Sequence, residues 1–162
     1  MKQKLALAAV VAAFAAPAFA QGNAENGPKL FNQCQTCHVV QNEAGEVLAG
    51  RNAKTGPNLY GVVGRQAGSV EGFRYQASIV EAGAAGLVWD ETELTAYLVN
   101  PTDYLKARLD NPRARSGMTH RVRSETDAAD LAAFLATFGA APAAAAPADG
   151  AAAPAAPAAP SN

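Results

Sequence analysis

Cys34-Gln35-Thr36-Cys37-His38 contains both cysteines of the 162-residue chain and one of its two histidines, and no other segment restricts what the chain can fold around so severely. On a helical turn, residues three and four apart share a face, so both sulfurs and the imidazole converge on one object. In a secreted chain with no other cysteine, C-x-x-C-H is the pattern of covalent haem attachment. Two thioethers hold the porphyrin. A neutral histidine then ligates iron through one ring nitrogen while the other donates a hydrogen bond to a nearby acceptor. A redox disulfide, a zinc site and two inert buried thiols are the alternatives. The first should sit where a strand enters a helix, yet no alternating β-branched run precedes Cys34. The second would draw on Cys34, Cys37, His38 and His120, and adjacent Cys37 and His38 fit tetrahedral closure poorly.

Residues 1–20 read as a cleavable secretory signal: Lys2 and Lys4 precede an apolar run over residues 5–16, and Ala18-Phe19-Ala20 supplies the small-residue site before Gln21. The run is shorter than the ~20 residues a membrane-spanning helix needs. The expected location is therefore the periplasm. The mature chain has 11 Lys and Arg against 14 Asp and Glu, a formal charge of -3, which does not suit a nucleic-acid binder. Residues 139–162 are almost wholly Ala and Pro and lack the side chains to close a core, so they read as a disordered tail. One domain, residues 21–138, remains. A flat cofactor at its centre would supply apolar contact area that so small a core otherwise lacks.

Iron needs a second axial ligand, and after signal removal the strong candidates are Met118 and His120. A thioether favours reduced iron and raises the potential, whereas a second imidazole leaves it lower. Met118 follows Ser116-Gly117 in a stretch with little helical or strand pattern, which suits a loop laid on the haem face opposite His38.

Taken together, these residues resemble class I cytochrome c, in particular the larger bacterial relatives of the mitochondrial protein. The likeness spans residues 23–138 and rests on an ordered set: Cys34 to His38, Lys54-Thr55-Gly56-Pro57-Asn58-Leu59, Gly64-Arg65, Gly72-Phe73-Arg74-Tyr75, Trp89, Tyr97-Leu98 and Met118. It implies an all-α fold wrapped around one covalent haem c. By the same resemblance, the Pro57 carbonyl would accept a hydrogen bond from His38. Arg65, Tyr75 and Trp89 would surround a buried propionate, and Tyr97 would lie beside the Met118 sulfur. Such a propionate needs donors, and a guanidinium, a phenol and an indole N–H supply them.

Local patterns agree with a helical domain. Ser124 caps a helix whose Leu131, Phe134, Leu135 and Phe138 form one apolar face, and Asp90 with Glu93 opens another that carries Leu94, Tyr97 and Leu98 before Pro101. A first helix should run into Cys34. The family's crossing of first and last helices implies contact at Gly27, with Phe31 near Leu131 and Phe134. Pro28 departs from the family and makes the first helix start late or kink. The stretch 104–118 is longer than in the mitochondrial protein, reads as a loop, and contains the turn signal Asp110-Asn111-Pro112.

Lys106, Arg108, Arg113, Arg115, Arg121 and Arg123 bracket Met118, with Asp110 the sole acid between them. An overall acidic protein would then show a basic face toward acidic partners. The resemblance implies a monomeric carrier, not an enzyme, passing single electrons from a cytochrome bc complex to a terminal oxidase, reaction centre or periplasmic reductase. A haem enzyme or gas sensor with a labile sixth ligand is the other reading.

Overall fold

The computed structural model describes residues 22–139. The expected signal and nearly all of the Ala/Pro tail lie outside the described residues. A 3-10 turn, Ala24–Asn26, leads into helix α1, Gly27–Phe31, with Pro28 in its first turn. There the missing proline N–H costs nothing, because first-turn donors have no partner inside the helix. The helix thus starts late. Helices α2 (Ala77–Ala84), α3 (Glu91–Val99), α4 (Pro101–Arg108) and α5 (Glu125–Ala136) follow.

Strands β1 (Val39–Gln41) and β2 (Val47–Gly50) add a short antiparallel hairpin to the expected helical fold. Val39 pairs with Gly50 and Val40 with Ala49, and the register shifts between Val40 and Gln41. Asn42 closes the turn by accepting the Glu46 N–H through Oδ1 at 2.9 Å, while Gly45 takes φ +83°.

Two of the caps read from the sequence form. Asp90 accepts the Glu93 N–H at 2.7 Å and Ser124 accepts the Asp127 N–H at 3.2 Å, each satisfying a first-turn donor. The stretch read as a loop from residue 104 begins instead as α4. Asn100, extended at φ -153°, caps it by accepting the Asp103 N–H, and Pro101 stands in its first turn. The proline that ends α3 therefore also begins α4. Asp110, at φ +47°, ends that helix. The Asp110 N–H donates to Ala107 and the Asn111 N–H to Lys106, the paired bonds of a Schellman stop. Residues 110–112 thus form the turn that their composition predicts, with a helix before it.

The two ends of the chain meet in the core. A Cβ on Gly27 would lie 2.0 Å from the Phe134 Cβ, so only glycine lets α1 lie directly on α5. Phe31 and Phe134 pack at 5.8 Å between ring centroids, and Phe31 shares its cluster with Leu131, as expected. Asp130, buried on α5, accepts from the Asn23 N–H at 2.6 Å and from Asn26 Nδ2 at 2.8 Å. Leu94 and Leu98 of α3 pack with Leu131 and Leu135. Among the described residues no helix is long and apolar enough to cross a membrane.

Gly27→Ala should lower unfolding stability by about 1–3 kcal/mol through overpacking against Phe134. Guanidinium denaturation followed by circular dichroism would measure it.

Candidate functional site

After α1, the Cys34 N–H donates to Phe31, and the chain continues through a helical turn in which the His38 N–H donates to the Cys34 carbonyl at 2.9 Å. That four-residue link places the two sulfurs and the imidazole on one side, as the spacing required. All three line a single cavity of about 650 Å³, together with Pro57, Arg65, Tyr75, Trp89, Tyr97 and Met118. Sites for cofactors and drug-sized ligands run from roughly 300 to 1,000 Å³. Every site residue predicted from the sequence thus borders the same space. Much of its wall is apolar: Phe31, Leu59, Ile79, Leu94, Leu98, Leu131 and Leu135.

His38 Nδ1 lies 2.9 Å from the Pro57 carbonyl. A carbonyl only accepts, so Nδ1 carries the proton and Nε2 keeps the lone pair a metal requires. Burial pushes the His38 pKa down, partly opposed by the bond to Pro57, so the ring is held neutral. Gly56 allows this closeness: a Cβ there would stand 2.4 Å from the imidazole Cε1. The Cys34 thiol is pushed up to about 11, first by burial and then by Cys37 beside it. A thiol so reluctant to ionise makes a poor redox nucleophile, which counts against a thioredoxin-like site.

Met118 and His120 both reach the cavity, in different ways. Met118 is half-buried and packs against the core cluster. His120 is exposed, and its Nε2 donates to Gln33 Oε1 at 3.0 Å at the rim. Among the described residues no group of three or more His, Cys, Asp and Glu could hold a metal. Thioether, imidazole and paired thiols around one apolar cavity fit a covalent c-type haem.

Arg65 and Trp89 are set by a backbone ladder. The Gly64 N–H donates to Trp89 at 2.7 Å, the Trp89 N–H to Arg65 at 2.9 Å, and the Ala67 N–H to Leu87 at 2.9 Å. The Arg65 guanidinium then donates to the carbonyls of Tyr60 at 2.8 Å and Asn58 at 2.9 Å. Five donors on that fork leave others for a carboxylate. Phe73 lies edge-on to Tyr75 at 4.7 Å, and Trp89 packs on Tyr97 at 5.0 Å. Burial raises the Tyr75 phenol above its ordinary range, while the Arg65 cation draws it down.

Sequence reading missed Ser116 as more than part of a loop. Its hydroxyl shares a hydrogen bond with the Tyr97 hydroxyl at 2.8 Å and accepts the Met118 N–H at 3.0 Å. Its own N–H donates to Thr102 Oγ1 at 3.3 Å, and the Arg115 N–H to Ser78 Oγ at 3.2 Å. Tyr97 therefore reaches the Met118 segment through Ser116. A serine two residues before the methionine was the available signal, but its distant partners come from α3 and α4.

Of the six cations around Met118, Lys106 pairs with Asp103 at 3.1 Å and Arg108 with Glu93 at 3.9 Å. Arg113, Arg115, Arg121 and Arg123 are exposed, with no ion pair among the described residues.

No protein-family model matches the chain. It is 55% identical over 118 residues to a cytochrome c2 of Rhodovulum adriaticum, covering 73% of this chain and 94% of the relative. A cytochrome c2 of Cereibacter sphaeroides is 48% identical over 145 residues, covering 88% of this chain and all of the relative. The crystal structure of cytochrome c2 from Rhodobacter sphaeroides superposes with a TM-score of 0.72 at 48% identity, over 75% of this chain and 99% of that one.

Ser116→Ala removes the partner of both Tyr97 and the Met118 N–H, and should cost about 1–2 kcal/mol. Amide hydrogen exchange should accelerate at Met118 while the amides of α5 hold their order of protection.

Proposed function

The chain belongs to the bacterial cytochrome c2 group of class I cytochromes c, electron carriers with one covalently attached haem c, and from that premise we propose how its own residues serve that role. Cys34 and Cys37 hold the haem through thioethers. His38, through Nε2, and Met118, through its sulfur, would hold the iron. When bound, the haem iron supplies a centre that gains or loses one electron. Pro57 keeps the His38 ring in the tautomer that ligates. Arg65, Tyr75 and Trp89 would supply donors to a haem propionate, and Tyr97 with Ser116 holds the Met118 segment. The observation that carries this reading is the single cavity shared by Cys34, Cys37, His38 and Met118.

The protein makes and breaks no substrate bonds; it is a carrier and not an enzyme. Residues 1–20 direct export to the periplasm and are removed before Gln21, residues 21–138 form the haem domain, and residues 139–162 form a tail. It works as a monomer, accepting electrons from a cytochrome bc complex and delivering them to a terminal oxidase, a reaction centre or a periplasmic reductase. Arg113, Arg115, Arg121 and Arg123 form the centre of the docking face, with Lys106 and Arg108 contributing less because each already has an acidic neighbour. Weak, steered docking suits a shuttle that must also release.

Protein matured in cells with haem-ligation machinery should keep its haem through denaturing electrophoresis, and Cys34→Ala with Cys37→Ala should lose it. Ferrous protein should resist carbon monoxide, and Met118→Ala should bind it; rapid binding by the parent protein would favour the sensor or enzyme reading instead. Reversing Arg113 and Arg121 to Glu should slow electron transfer to a membrane oxidase about tenfold at low ionic strength, with the difference closing as salt rises. Stopped-flow kinetics across a salt series would measure both.

A further inference from the structure

The segment that faces His38 is pinned far more heavily than chain continuity requires. Backbone bonds hold its two ends: the Gly56 N–H donates to Cys37 at 2.6 Å and the Leu59 N–H to Val39 at 2.9 Å. Between them, the Asn58 side chain behaves like an extra peptide group. Its Oδ1 accepts the N–H groups of Gln41 at 3.0 Å and Tyr60 at 3.1 Å, and its Nδ2 donates to the Gln41 carbonyl at 2.7 Å. From the other side Arg65 grips the carbonyls of Asn58 and Tyr60.

These bonds bear on one peptide plane. The Pro57 carbonyl is part of the peptide that ends at the Asn58 nitrogen, so its direction follows that plane. Gly56 allows close approach to the imidazole and the pyrrolidine ring restricts φ of Pro57. What remains free is rotation of the Pro57–Asn58 peptide, and Asn58 with Arg65 removes it. We propose that Asn58, buttressed by Arg65, is the positioning residue that aims the Pro57 carbonyl at His38 Nδ1 and so sets how strongly Nε2 donates to iron. This rests on the reading that His38 is an axial ligand.

A carbonyl held on Nδ1–H withdraws that proton slightly and raises the basicity of the ligating nitrogen. Ferric iron, the more positive state, gains more from a stronger donor than ferrous iron does. A firm Pro57 bond therefore lowers the reduction potential, and loosening it raises the potential. A purely structural Asn58, serving only to dock residues 56–59 on β1, would change stability and leave the potential where it was.

The test uses the holoprotein and two readouts in Asn58→Ala: exchange of the His38 Nδ1 proton in the ferrous state by NMR, and the reduction potential. The expected result is Nδ1–H exchange about tenfold faster relative to the α5 amides, which report global opening, together with a higher potential. Asp130→Ala supplies the control, because it weakens the docking of the N-terminal segment through Asn23 and Asn26, which share no hydrogen bond with Asn58 or Pro57, and should leave both readouts as in the parent. If Asn58→Ala unfolds more easily but keeps the parent's exchange ratio and potential, Asn58 is structural and the proposal is wrong. Should that variant fail to mature, Asn58→Ser, whose hydroxyl satisfies fewer partners, carries the same test. The ligand reading fails separately: His38 ring protons without paramagnetic shifts in the ferric parent would dismiss it, and this proposal with it.

Discussion

The close contact of Gly27 with Phe134 is the constraint on which the rest of the molecule depends. Because α1 lies directly on α5, the turn that follows α1 is delivered to the interior, with Cys34 partly buried and His38 turned into the cavity. The same contact fixes the face of α5 that meets that cavity through Leu131 and Leu135. Asp130 reinforces the arrangement from outside the aromatic layer, where its carboxylate takes donors from Asn23 and Asn26. A buried carboxylate with its oxygens occupied is tolerated, while one stripped of partners is strongly destabilising. The N-terminal segment is therefore held at defined points as well as by apolar packing.

Core and site are built from the same side chains. Phe31, Ile79, Trp89, Leu94, Leu98, Leu131 and Leu135 belong to the hydrophobic cluster and also form the cavity wall. A protein interior is normally packed close to crystal density, and here that packing surrounds a cavity of about 650 Å³.

The two sides of the cavity are secured by different means. On the His38 side, backbone bonds and the Asn58 amide immobilise a peptide directly against the imidazole. On the Met118 side, the chain is irregular and hangs from side-chain hydroxyls of Ser78, Tyr97, Thr102 and Ser116. Local openings follow the number and burial of such bonds, and those on the Met118 side are made by side chains rather than by a backbone ladder.

Much of this was legible in the residues themselves. The C-x-x-C-H spacing needs only helical geometry to bring its groups together, and Asp90 and Ser124 need only their own first turns, so each could be read locally. Helix α4 was missed because Pro101 was read solely as a stop, although a proline is equally at home in the first turn of a new helix. The hairpin at β1 and β2 is too short to display a strand period, and Val47 and Leu48 are exposed rather than alternating. The cations around Met118 looked alike in sequence, yet their pairing with Asp103 and Glu93 separates Lys106 and Arg108 from the rest.

The sequence by itself determined the chemistry and the family: the residue types of the site, their spacing along a turn, the starts of α3 and α5 and the glycine at the crossing. Only the tertiary structure decided which partners those groups take. It turned Arg65 onto the carbonyls of residues 58 and 60, gave Ser116 its place between Tyr97 and Met118, and set His120 on the rim beside Gln33. The reason is physical: caps and turns are settled by neighbours a few residues away, whereas a side-chain hydrogen bond across 87 positions exists only after the chain has closed on itself.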